Sequence, residues 1–204
     1  MNKRIAIYGG SFNPPGNHHI QIAITLAKMF DSVIIAPCGK RIDKGSANIL
    51  SLKYRKELVQ IAFKNLSKVK VDYDDLDQNI YTPTYFLQKK YEKLYPDTEI
   101  WHVAGTDIIK DGSNSNSEIH RVWQYGEKIW QTLNWVIIYR PGHEIVKNDM
   151  PPSSMLIKIL NLFSSGTMIR KRSAKDKCIT DLATPEMIEY IRKYKLYKKI
   201  KEVK

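Results

Sequence analysis

Arg4-Ile-Ala-Ile-Tyr-Gly-Gly-Ser-Phe-Asn-Pro-Pro-Gly-Asn-His-His19 begins as an apolar run, turns at paired glycines and ends on two histidines. Arg4–Tyr8 is short, apolar and bounded by glycine, which reads as a buried strand. Asn17–Phe30 follows, with Ile20, Ala23, Ile24, Ala27 and Phe30 at helical spacing; Asn17 is the expected cap. A strand, a glycine turn and a helix start form a place for an anion. Backbone amides and the positive end of the helix dipole converge there. Gly9 and Gly10 let the backbone approach a ligand closely, and Ser11 adds a hydroxyl. His18 and His19 lie in the first helical turn, where ring nitrogens can donate to phosphate oxygens.

The same alternation continues outward. Ser32–Ala36, Lys68–Tyr73, Glu99–Ala104 and Trp135–Arg140 read as strands. Ser51–Asn65, Thr84–Leu94 and Glu118–Trp130 read as helices. Strands separated by helices predict a doubly wound α/β fold with a mainly parallel sheet and right-handed crossovers. Ligands in such sheets bind beyond the carboxyl ends of the strands. Asp111–Ser117 reads as a flexible insertion by composition, and His143–Ser154, with Pro151-Pro152, as an irregular crossing.

Composition limits the partners. With 33 Lys and Arg against 21 Asp and Glu, the 204-residue chain carries +12, which favours anionic partners. No apolar run reaches the roughly 20 residues that span a bilayer, so no membrane partner is expected. Cys38 and Cys178 lack metal-ligand spacing, and a reduced, cytoplasmic setting is the simplest reading. The basic end Arg192–Lys204 reads first as a solvated helix end, with a nucleic-acid role as the less favoured alternative.

The Gly9–His19 stretch resembles the phosphate-binding motif of the HxGH nucleotidyltransferases. Ser11-Phe12-Asn13-Pro14 and the final histidine match, but Gly16 stands at the first histidine and His18 at the glycine, giving GxHH. Ser164-Ser-Gly-Thr-Met-Ile-Arg170 resembles that superfamily's second signature, with Thr167, Ile169 and Arg170 in register and Gly166 where serine is usual. Gly105-Thr-Asp107 resembles the Gly-x-Asp of nicotinate (nicotinamide) mononucleotide adenylyltransferases, and Ile80–Tyr85 and Trp123 resemble segments beside their pyridine pocket. Taken alone, Thr82 would cap the helix that Pro83 opens, and Trp123 could be core packing.

The resemblance implies one Rossmann-like nucleotidyltransferase domain over residues 1–204, with 171–204 a basic helical extension packed on it. It implies an adenylyltransferase of NAD biosynthesis that joins the AMP of ATP to a pyridine mononucleotide. It assigns catalysis to His19, His18 and Arg170. ATP would be bound by Gly9, Gly10, Ser11, Phe12, Asn13, Gly105, Asp107, Ser165, Thr167 and Ile169. The mononucleotide would be bound by Lys44, Arg55, Tyr81, Thr82, Thr84 and Trp123. Mg2+ would accompany ATP, with no dedicated protein metal site, and a homo-oligomer is compatible with the sequence. Another phosphorylated metabolite as acceptor, or nucleotide binding with little turnover, stays open because of Gly16.

Overall fold

The computed structural model describes residues 3–40, 50–143, 146–160, 162 and 164–198. Six strands form one sheet: β1 (Lys3–Gly10), β2 (Ser32–Pro37), β3 (Val69–Val71), β4 (Thr98–Gly105), β5 (Asn134–Ile138) and β6 (Ser154–Ile157). Their order is β3-β2-β1-β4-β5-β6, and every neighbouring pair is parallel. This is the doubly wound architecture expected. The strand order reverses between β1 and β4, which puts a crevice over their carboxyl ends.

The helices are α1 (Asn17–Met29), α2 (Leu52–Phe63), α3 (Asp74–Asp77), α4 (Thr84–Leu94), α5 (Thr106–Ile109), α6 (Glu118–Val122), α7 (Gly126–Thr132), α8 (Gly166–Ala174) and α9 (Pro185–Lys193). Strand alternation sorts them onto two faces. Ala6 and Tyr8 of β1, with Val33 and Ile35 of β2, join Leu26, Leu58, Ile169 and Ile188 from α1, α2, α8 and α9 in the main core. Ile5, Ile7 and Ile34 point the other way, onto Tyr91 of α4. Beside them Trp135 and Ile137 of β5 pack on Ile109, Ile119 and Ile129 of α5 to α7. These are the two apolar faces that a buried parallel sheet requires.

The structure corrects the sequence reading of several elements. Gly16, not Asn17, stands at the cap of α1, and Asn17 is its first residue. Glu118–Trp130 is two helices, because Tyr125 adopts φ 59 between them. Ser154, read as the end of an irregular crossing, begins β6, which lies parallel to β5.

The supposed flexible insertion is folded around Asp149. Its Oδ2 accepts from the Asp111 amide at 3.1 Å, and its Oδ1 accepts from the Ser113 amide at 3.0 Å and hydroxyl at 2.8 Å. Burial opposes ionisation of this carboxyl, but the Ser113 and Asp111 hydrogen bonds outweigh it and hold its pKa low.

Candidate active site

The Gly9–His19 loop lies at the carboxyl end of β1, between β2 and β4 in the sheet. Its backbone is held from three directions. Arg55 of α2 is buried, 1% exposed. Its guanidinium donates to the Ser11 carbonyl from Nε at 3.1 Å and Nη2 at 2.6 Å, and also to the carbonyls of Gly39 and Cys38. The structure thus turns the expected mononucleotide ligand Arg55 inward, as a clamp between the ends of β1 and β2. Burial lowers its pKa, and interactions with Cys38 work in the other direction.

Asn13, buried, is the second anchor. Its Oδ1 accepts from the Leu50 amide at 3.3 Å and the Tyr197 hydroxyl at 3.2 Å. Its carbonyl accepts from Arg170 Nη1 at 2.7 Å. Phe12 is core, 2% exposed. It packs edge-on against His19 at 5.0 Å between ring centroids and against Phe63 at 5.7 Å. Ser11 and Gly9 remain exposed.

The third anchor is the C-terminal part of the chain. The Leu182 carbonyl accepts from the Asn17 amide at 2.8 Å. The second signature is brought onto the first. Ser165 caps α8, its hydroxyl oxygen accepting from the Met168 amide at 3.1 Å, and Thr167 is exposed beside it. Arg170 Nη2 donates to Thr167 Oγ1 at 3.0 Å. Gly166 stands where a serine was expected; a Cβ there would make a tight 3.1 Å contact with the Pro14 carbonyl oxygen. Ile169 is a core residue whose amide is spent on the Ser165 carbonyl, so neither its side chain nor its amide faces a ligand.

The histidines meet over the start of α1. Their ring centroids are 3.7 Å apart. His19 Nδ1 accepts from the Gly16 amide at 3.1 Å, which leaves the proton on Nε2 and fixes that nitrogen as a donor. Burial, then His18, then Arg140 hold the His19 pKa well below its usual value. Burial first, then Arg140, lower that of His18 to about 4. Both rings are therefore neutral at pH 7.

Across the crevice, Asp107 follows β4. Its Oδ2 accepts from Arg140 Nη1 at 3.0 Å, while its Oδ1 is buried without a partner. The Arg140 amide donates to Thr106 Oγ1 at 3.0 Å. Arg140 was read from sequence as the end of a strand and not as a site residue.

Thr82 does not cap α4. Its amide and hydroxyl both donate to the Asp75 carboxylate, at 2.8 and 2.7 Å, and Pro83 takes the cap position before Thr84. Tyr81 is exposed. Trp123 is partly buried on the core around Trp135, 6.0 Å between ring centroids, and its Nε1 donates to Glu118 at 3.2 Å. Lys44 lies outside the described residues.

The family model "Cytidylyltransferase-like" matches residues 7–172. A Corynebacterium glutamicum protein named "Probable nicotinate-nucleotide adenylyltransferase" is 26% identical over 201 residues, covering 96% of this chain and 88% of that one. A solved Plasmodium falciparum nicotinic acid mononucleotide adenylyltransferase, complexed with NaAD, superposes with a TM-score of 0.78 at 29% identity. That superposition covers 96% of this chain and 97% of that one. The same enzyme complexed with APC gives 0.75 at 28%, with the same coverage. With a parallel sheet that reverses order at the loop, two signatures joined through Arg170 and Asn13, and a family match over most of its length, the chain belongs to the cytidylyltransferase-like family of nucleotidyltransferases.

Proposed function

We propose that the chain transfers the adenylyl group of ATP to a pyridine mononucleotide, nicotinate mononucleotide in the first place, in the synthesis of NAD. The observation that carries the reading is the Arg170 bond to the Asn13 carbonyl. It holds the loop after β1 against the start of α8, a juxtaposition suited to binding an anion. The names of the relatives favour nicotinate as the acceptor.

In the reaction a 5′-phosphate oxygen of the mononucleotide attacks the α-phosphorus of ATP. The bond to the bridging oxygen breaks, and its electron pair leaves with pyrophosphate. The nucleophile is already an anion, so no general base is required. Catalysis is positioning and charge stabilisation. His19 donates from Nε2 to a phosphate oxygen. Arg170 is held with its guanidinium at the loop, where its permanent charge acts on the outer phosphates. The free Oδ1 of Asp107 is an acceptor suited to a ribose hydroxyl. Among the described residues no three His, Cys, Asp or Glu side chains gather as metal ligands. A magnesium ion bound with ATP would neutralise triphosphate charge. No helix of the described residues is long and apolar enough to cross a membrane. Soluble substrates suit a cytoplasmic enzyme.

Pyrophosphate release is to be measured with ATP plus nicotinate mononucleotide, nicotinamide mononucleotide or no acceptor. Release that depends on a pyridine mononucleotide supports the proposal. Tight ATP binding without release for any acceptor refutes it.

A further inference from the structure

We infer that the hydroxyl of Tyr8 is a further substrate contact of the site, a donor to a phosphate oxygen of a bound nucleotide. The inference rests on the adenylyl-transfer reading but has its own readout.

Tyr8 ends the apolar run of β1, directly before the paired glycines. Strand alternation sends its ring, like Ala6, into the core with α1, α2 and α8, while Ile5 and Ile7 face the other way. Tyr8 is 8% exposed. Its ring lies edge-on to Phe12, 5.5 Å between centroids, and 6.0 Å from the His19 ring. A phenylalanine would make the same ring contacts, so the packing does not require a hydroxyl.

A buried tyrosine ordinarily commits its hydroxyl to a hydrogen bond. Tyr91 donates to Asp72 at 2.7 Å and Tyr197 to Asn13 at 3.2 Å. The Tyr8 hydroxyl has no partner among the described residues. The fully buried side-chain atoms there that lack a partner are His18 Nδ1, Asp107 Oδ1 and Ser173 Oγ. The Tyr8 oxygen is not one of them, so the tip of this side chain reaches the accessible surface.

The surroundings of that tip give it a role. Arg140 stands close enough to act on Tyr8, His18 and His19 alike, and its Nη1 donates to Asp107 at 3.0 Å. The hydroxyl thus opens toward the crevice shared by the loop, the histidines and Arg140. Burial pushes the Tyr8 pKa up and outweighs the opposing effect of Arg140. The group therefore stays protonated at working pH, a neutral donor with no acceptor of its own. A phosphate oxygen, which only accepts, completes that bond. A ribose hydroxyl is better matched to the unpartnered Oδ1 of Asp107.

Tyr8→Phe keeps the ring and removes the oxygen. No protein hydrogen bond is lost, so the melting temperature without ligand is expected to stay parental. For pyrophosphate release from ATP and nicotinate mononucleotide, kcat/KM is expected to fall about 10- to 100-fold, the usual effect of removing one hydrogen bond to a charged group. The kinetics separate the two phosphates. A KM raised for ATP alone places the bond on ATP, and one raised for the mononucleotide alone places it on the acceptor. A fall in kcat alone places it on the group in transfer. Parental kcat and KM overturn the inference, and so does a loss that tracks a lowered melting temperature.

A second readout needs no turnover. With tyrosines isotopically labelled at Cζ, the resonance missing from Tyr8→Phe belongs to Tyr8. It should move on titration with ATP or with nicotinate mononucleotide, and a resonance unmoved by both overturns the inference. If the parent releases no pyrophosphate with any acceptor, the functional reading fails, and this titration alone decides the inference.

Discussion

Arg55 offers the sharpest separation between a residue that binds substrate and one that builds the site. Arg55→Met removes donors to three carbonyls, those of Ser11, Cys38 and Gly39. Charged hydrogen bonds are each worth roughly 1.5–3 kcal/mol, so their gross loss is at least about 5 kcal/mol. The cation no longer has to be buried, which returns several kcal/mol of desolvation, and methionine refills much of the volume. A net destabilisation of about 3 kcal/mol remains. For a chain of this size that is a fall in melting temperature of roughly 6–12 °C. Thermal unfolding followed by circular dichroism reads it. Steady-state pyrophosphate release should show a higher KM for ATP, because the Ser11 carbonyl has lost its anchor. Arg55→Lys should fall between, since one ammonium cannot span three carbonyls. An unchanged melting temperature, with KM raised for the mononucleotide only, would refute the clamp and restore Arg55 to the substrate.

Three further outcomes are expected. His18 and His102 both sit at a pKa of about 4 in the folded chain, chiefly through burial, against about 6.5 unfolded. The folded chain therefore binds fewer protons between those values. Stability is full above pH 6.5 and is lost as pH falls through 4, at on the order of 1 kcal/mol per pH unit for each ring. Urea unfolding from pH 7 to 5 checks this, and a flat profile counts against it. Arg140→Met removes a positive charge that faces the histidine pair, so the His18 pKa should rise above about 4, as read by NMR titration; an unmoved value would place Arg140 too far away to matter. Asp149→Ala should destabilise the chain by about 2 kcal/mol through the freed Ser113 and Asp111 donors, leaving ATP affinity intact, and an unchanged melting temperature would show the turn is held otherwise.

Much of the fold was legible because its signals are local. Arg4–Tyr8, the paired glycines and the apolar spacing of α1 each specify one element, and alternation gave the parallel sheet. What was missed depended on distant contacts. Ser154–Ile157 is too short after Pro151-Pro152 to announce a strand, and it gains its identity only by lying against β5. Asp111–Ser117 has the composition of a linker and is ordered by a carboxylate more than 30 residues away.

The site divided in the same way. Gly9–His19 and Ser165–Arg170 could be found as motifs. Arg55 was found as a charge but not as a buried one. The clue was present, since Arg55, Leu58, Val59 and Ala62 share the buried face of α2, a stripe in which an arginine must satisfy its donors from the backbone. The Tyr197 bond to Asn13 spans 184 positions, beyond any local pattern.

That span carries a consequence for how the protein is made. The Gly9–His19 loop is synthesised well before Arg170, Leu182 and Tyr197, whose bonds shape it. A ribosome-bound chain that has not yet extruded these residues holds the motif without the pocket. Any nucleotide capture by the loop should thus wait until those residues have emerged, and ATP retained by arrested chains of increasing length would time it.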